Sequence, residues 1–137
     1  MRKSASVVVI CLFLSTACLV AQRNASVRIG GSSLRANGQI AQRYQYTGPC
    51  PVDLKFGWGV IATAPTSVTY RFTRSDGGQS QSFSAELPQA ERSVPLYDDW
   101  RLGANIPQFA DFNGWVNLII EGPNHLENRI NFTIHCQ

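Results

Sequence analysis

Nine residues near the first third of the chain alternate without interruption. Val52, Leu54, Phe56, Trp58 and Val60 share one phase; Asp53, Lys55, Gly57 and Gly59 share the other. Successive side chains of an extended chain point to opposite sides, so this period predicts a strand with one face in a core. Cys50 stands just ahead of it among the turn residues Gly48, Pro49 and Pro51. The rest of the chain is read as further strands packing on that apolar face.

Taken in order, residues 26–29 alternate and predict a first strand. Gly30, Gly31, Ser32 and Ser33 then predict a turn, as does Asn37-Gly38. Residues 39–46 alternate weakly, which suits an edge strand. Pro65 interrupts the pattern after the leading strand, because it lacks the N–H a central ladder needs. Residues 67–74 form a clear strand with Val68, Tyr70 and Phe72 in one phase. Ser75-Asp76-Gly77-Gly78 has hairpin composition, with residues 79–87 as the return strand. Across residues 93–102, Val94, Leu96, Trp100 and Leu102 share a register that Asp98 breaks, which predicts a bulge. Residues 103–113 are an irregular crossover with Phe109 and Phe112 tucked beneath it. Residues 115–121 and 129–136 close the chain as two strands, with Val116, Leu118 and Ile120 and then Ile130, Phe132 and Ile134 inward. No window keeps a helical period. Six to eight short strands at roughly ten-residue spacing describe an antiparallel sandwich.

The N-terminus has the three parts of a secretory signal. Arg2 and Lys3 precede an apolar run over 7–20 and then small residues, and the run is too short for a span of about 20 apolar residues. Cleavage is expected after Ala21, with Ala17 as the alternative. The domain division is therefore 1–21 signal peptide and 22–137 a single β domain, least defined over 22–47. Ser15-Thr16-Ala17-Cys18 also resembles a lipobox, although Ser15 replaces the usual aliphatic residue. Two localisations follow: a secreted or periplasmic protein, or one with a lipid anchor at Cys18. The mature chain would have no transmembrane segment.

With the signal removed, Cys50 and Cys136 remain in a chain bound for an oxidising compartment, and they are expected to pair. The 12 basic and 9 acidic residues of the whole chain lose Arg2 and Lys3, so the mature excess is a single positive charge. Without a basic cluster, that balance argues against a nucleic-acid partner.

Several segments align with a known group: Thr47-Gly48-Pro49-Cys50-Pro51, Val68-Thr69-Tyr70-Arg71-Phe72 with Ser75-Asp76-Gly77, Gly114-Trp115, Pro123-Asn124, and Phe132-Thr133-Ile134-His135-Cys136. On these the chain resembles small immunoglobulin-like or fibronectin-type sandwiches of bacterial exported proteins, over about two thirds of its length. The resemblance implies an all-β, antiparallel immunoglobulin-like β-sandwich closed by one disulfide. It brings no shared activity and no functional residue. Cys50 departs from antibody-type domains by preceding its strand, and the middle strand that follows lacks a tryptophan.

Motifs that would carry chemistry are few. Gly57-Trp58-Gly59-Val60-Ile61-Ala62 matches a dinucleotide fingerprint, but turn and strand residues follow it, and the fingerprint needs a helix there. Asp98, Asp99 and Asp111 suggest an oxygen cluster for calcium, yet adjacent strand residues face opposite ways. His125 and His135 lack a nucleophile context. Asn24-Ala25-Ser26 and Asn131-Phe132-Thr133 are formal glycosylation sequons. No cofactor, metal or catalytic residue is expected. The reading is an exported non-catalytic binding or adhesion module whose partner is an envelope or extracellular protein or a glycan. The alternatives are a structural or accessory envelope protein and a small secreted hydrolase. The expected binding face is Arg71, Trp115 and Asn117, outward on neighbouring strands, where aromatic and arginine side chains favour recognition. A second reading has Trp115 folded over the sheet end onto Phe109 or Phe112.

Overall fold

The structure, a computed structural model, describes residues 25–137. The expected signal peptide, its cleavage site, Cys18 and the sequon asparagine Asn24 lie outside the described residues. Nine strands follow: β1 (Val27–Ala36), β2 (Gln39–Ile40), β3 (Gln45–Gly48), β4 (Val52–Ala62), β5 (Thr66–Arg74), β6 (Phe83–Leu87), β7 (Val94–Leu102), β8 (Asp111–Gly122) and β9 (Leu126–Cys136). A 3-10 turn, Gln42–Tyr44, separates β2 from β3.

Two sheets face each other, ordered β2-β1-β4-β7 and β3-β9-β8-β5-β6. The chain crosses to the second sheet for β3 and returns for β4, then changes sheet after β4, after β6 and again after β7. That alternation is immunoglobulin-like: β1, β4 and β7 stand as strands A, B and E, and β9, β8, β5 and β6 as G, F, C and C′. One pairing is not antiparallel. β3 runs parallel to β9, because the chain crosses from the first sheet to the second through the 3-10 turn.

The leading strand is the centre of the core. Val52, Leu54, Phe56, Trp58, Val60 and Ala62 are all buried, facing Phe72 of β5, Leu118 of β8 and Phe132 of β9. Trp58 stacks on Phe72 at 5.5 Å, and Phe56 tilts against Phe132 at 5.1 Å. The buried indole N–H of Trp58 donates to Asn128 Oδ1 at 2.9 Å, so the ring's one polar atom is satisfied. Gly114 faces inward, where a Cβ would come within 2.7 Å of Phe112 and 2.9 Å of Phe132. Cys50 and Cys136 form the disulfide, joining the entry to β4 to the end of β9.

Five local expectations change. Gly30-Gly31-Ser32-Ser33 is no turn: β1 continues through it, and the pairing steps from Ile29↔Val60 to Gly31↔Gly59 with Gly30 as the extra residue of a bulge. Residues 39–46 split into β2, the turn and β3 instead of one edge strand. Asp98 makes no bulge, since β7 pairs with β4 in unbroken register from Leu102 to Val94. It stays inward because Arg74 reaches across from the other sheet, Nε and Nη2 donating to its two carboxylate oxygens at 3.1 and 3.0 Å. The return strand of the 75–78 hairpin pairs only at Gln79 before Phe83, because Ser80 Oγ takes the Phe72 N–H at 2.8 Å. Phe109 is 68% exposed, whereas Phe112 packs against Trp100 and Phe132.

Candidate functional site

β5, β8 and β9 are neighbours in the five-stranded sheet, so Arg71, Trp115 and Asn117 do share its outer face. They do not form one site. Arg71 pairs across from Ile119, four residues along β8 from Trp115 and thus roughly 13 Å away. Its Nε donates to Glu121 Oε1 at 2.7 Å. Asn117 is only 7% exposed, because it sits on the central strand between Thr73 and Arg129. Arg71 is partly exposed but committed to Glu121, and Asn117 is covered, so Trp115 is the member of the trio that lines a hollow.

Trp115 is half-buried and fixed from two sides. The Arg129 guanidinium carbon lies 3.7 Å from its ring centre, a cation–π stack. Ser75 holds its backbone, accepting the Trp115 N–H at 3.1 Å and donating its own N–H to the Trp115 carbonyl at 3.0 Å. Neither Phe109 nor Phe112 lies beneath the indole; Phe112 belongs to the Trp100 cluster.

Beside Trp115 lies a hollow of about 310 Å³. Asn113 of β8 and Asn131 and Thr133 of β9 contribute polar side chains, and Arg43 and Tyr44 of the 3-10 turn close one side. Thr133 Oγ1 donates to Asn113 Oδ1 at 2.7 Å, which orients that amide. Both Arg43 (φ 56°) and Tyr44 (φ 58°) are in the left-handed region, uncommon for residues other than glycine. The Tyr44 hydroxyl anchors the turn on β1, 2.9 Å from Ser32 Oγ and donating to the Ser32 carbonyl at 3.3 Å. The lining thus brings together a tryptophan, the amide residues Gln45, Asn113 and Asn131, a threonine and an arginine, which suits recognition of a small polar ligand.

The inward phase of Ile130, Phe132 and Ile134 turns Asn131 and Thr133 outward onto this face, but it marks neither Arg43 nor Asn113. The outward phase of β9 would also have included Arg129. Asn113 was hidden because β8 begins at Asp111, inside the stretch that reads as crossover.

The remaining motifs disperse. The Gly57–Ala62 fingerprint lies within β4, with no helix after it. Asp98 meets Arg74 inside, Asp99 lies 3.9 Å from Lys55 outside, and Asp111 pairs with His135 on the other sheet. Among the described residues no three His, Cys, Asp or Glu side chains are grouped to hold a metal. His125 lies at the surface, 3.6 Å from Glu127. Among the described residues no helix is long and apolar enough to cross a membrane.

No family model matches the sequence, and no curated protein matches it. Among solved structures, the CARDB domain of a Pyrococcus furiosus protein in complex with di-metal ions is similar at 8% identity and a TM-score of 0.46, over 82% of this chain and 93% of that one. The Pseudomonas fluorescens alkylpurine DNA glycosylase AlkC, bound to DNA containing an abasic site analog, is similar at 13% identity and a TM-score of 0.45. The match covers 89% of this chain and 36% of that chain.

Proposed function

We propose that this chain is an exported, non-catalytic binding module that engages its partner at the Trp115 hollow. The observation that carries the reading is the meeting of a fixed, half-buried tryptophan with the side chains of Asn113, Asn131, Thr133 and Arg43 on an outer sheet face. Such faces recognise partners through rigid aromatic and arginine groups, and the sandwich behind them serves as a scaffold. The disulfide supports export, because such bonds persist in oxidising compartments.

The test is affinity capture from the native envelope and medium with the oxidised protein, in parallel with Trp115→Ala. The expected result is a partner retained by the parent and lost by a variant with the parent's denaturation midpoint. Retention by both would remove the hollow from the reading. Turnover of an ester, peptide or glycoside by the parent would remove the non-catalytic assignment.

A further inference from the structure

Arg43 occupies a backbone position that its own side chain does not favour. At φ 56° and ψ 23° it lies in left-handed space, and Tyr44 follows it at φ 58°. Glycine or asparagine at position 43 would adopt that conformation more readily. The turn around it is held independently of the Arg43 side chain. The Ala41 N–H donates to the Leu34 carbonyl at 2.8 Å, Tyr44 is anchored on Ser32, and Gln45 enters β3 opposite Thr133. The turn is therefore held without the guanidinium, while Arg43 is one of the residues that line the hollow.

Charge narrows the ligand. The lining holds one cation, Arg43, and no carboxylate. Among the described residues Arg43 has no carboxylate within ion-pair distance. Asp111, the nearest acid along β8, is engaged by His135. An arginine fork matches a planar carboxylate through two parallel N–H donors. In the same lining, Arg129 stacks on one face of the Trp115 indole, so the C–H face of a pyranose would take the other, while Asn113, Asn131 and Thr133 can meet ring hydroxyls. At about 310 Å³ the space is at the small end of ligand sites and fits about one sugar ring.

Resting on the binding-module reading above, we infer that the hollow takes a carboxylated saccharide, with Arg43 selecting the acid group and Trp115 the sugar face. The experiment is a binding screen of the oxidised protein against uronate-, sialate- and muramate-bearing oligosaccharides, each beside its carboxyl-reduced counterpart. At least one acidic member should bind, and its reduced form should bind about tenfold or more weakly. Arg43→Gly should abolish that preference while leaving the denaturation midpoint equal to or above the parent's, because glycine relaxes the turn. Arg43→Lys, which keeps the charge but loses the fork, should fall between.

A screen with no bound acidic member overturns the inference, as does binding that survives Arg43→Gly or carboxyl reduction. A lowered midpoint in Arg43→Gly overturns the argument from the turn. If no saccharide binds but an envelope protein is captured in a Trp115-dependent way, the ligand class fails and the binding module stands. If neither occurs, both fail.

Discussion

Trp58 combines three roles at one position: it is 1% exposed, it stacks on Phe72, and its N–H reaches Asn128 across the sandwich. Trp58→Ala should destabilise the domain by about 3–5 kcal/mol, as large aromatic deletions in cores do. Chemical denaturation measures this, and an unchanged midpoint would contradict the packing. Asp98 is a different case. Its carboxylate faces the interior and is held by Arg74, whose guanidinium carbon also lies 4.9 Å from the Trp100 ring centre. The two side chains are partly exposed, at 28% and 12% for Arg74 and Asp98. Asp98→Asn should therefore destabilise by about 2–3 kcal/mol, below the range for a fully buried pair. The paired change Arg74→Met with Asp98→Leu should recover most of that loss, because no uncompensated charge remains. Recovery absent in the double variant would show that the pair does more than neutralise itself. Trp58 was legible in the sequence because its phase agrees with its neighbours. The Asp98 pair was not, because an inward charge with a partner 24 residues away looks like a break in the pattern. Trp115 was legible in the same way as Trp58, by phase. Arg43 was not, since left-handed backbone on an arginine leaves no compositional mark.

Strand existence was easier to read than strand ends and partners. β4, β5 and β9 alternate, so their faces follow from period two, whereas the central strand β8 is buried on both sides from Val116 to Ile120. β1 was cut short because a glycine pair inside a strand has the composition of a turn, and only the pairing on β4 distinguishes a bulge from a reversal. The Asn37-Gly38 signal did mark a real reversal: Ala36 pairs with Gln39 around it, and both residues have positive φ. At its other end β1 depends on a contact no local pattern announces. Asn124, in the β8–β9 turn, accepts the Val27 N–H at 2.7 Å and donates to the Val27 carbonyl at 3.1 Å. This side chain substitutes for a neighbouring strand at the start of β1. Asn124→Ala should remove both bonds, lower stability by about 1–2 kcal/mol and leave the Val27 amide open to exchange. Hydrogen exchange resolves the effect by residue. Faster exchange at Val27 with unchanged protection in β4 is expected, and uniform loss across both strands would mean that the clamp supports the whole sheet.

At the scale of the molecule, the disulfide fixes the junction that the parallel pairing creates. Gly48 lies beside Cys136 in the β3–β9 register, and the Gln137 N–H donates to the Gly48 carbonyl at 2.9 Å. Cys50 then leads straight into the core strand, so the bridge ties the crossing between sheets to the last strand. With its ends 86 positions apart in sequence, the bridge restricts the unfolded chain by about 4–5 kcal/mol on the loop-entropy model. Domains of this kind have total stabilities of about 5–15 kcal/mol, so the loss of the bridge is a large fraction of the whole. The Cys50→Ser, Cys136→Ser double variant should accordingly unfold at a much lower denaturant concentration than the oxidised parent. The same argument gives export a direct check, because the stabilisation exists only where the thiols are oxidised. Intact-mass analysis of the exported protein should find a chain starting near Gln22 and two hydrogens lighter than its reduced form. A diacylglycerol on Cys18 would replace free export with anchoring, and free thiols at Cys50 and Cys136 would remove the stabilising role assigned to the bridge. A double variant as stable as the parent would show that the two sheets hold the junction without it.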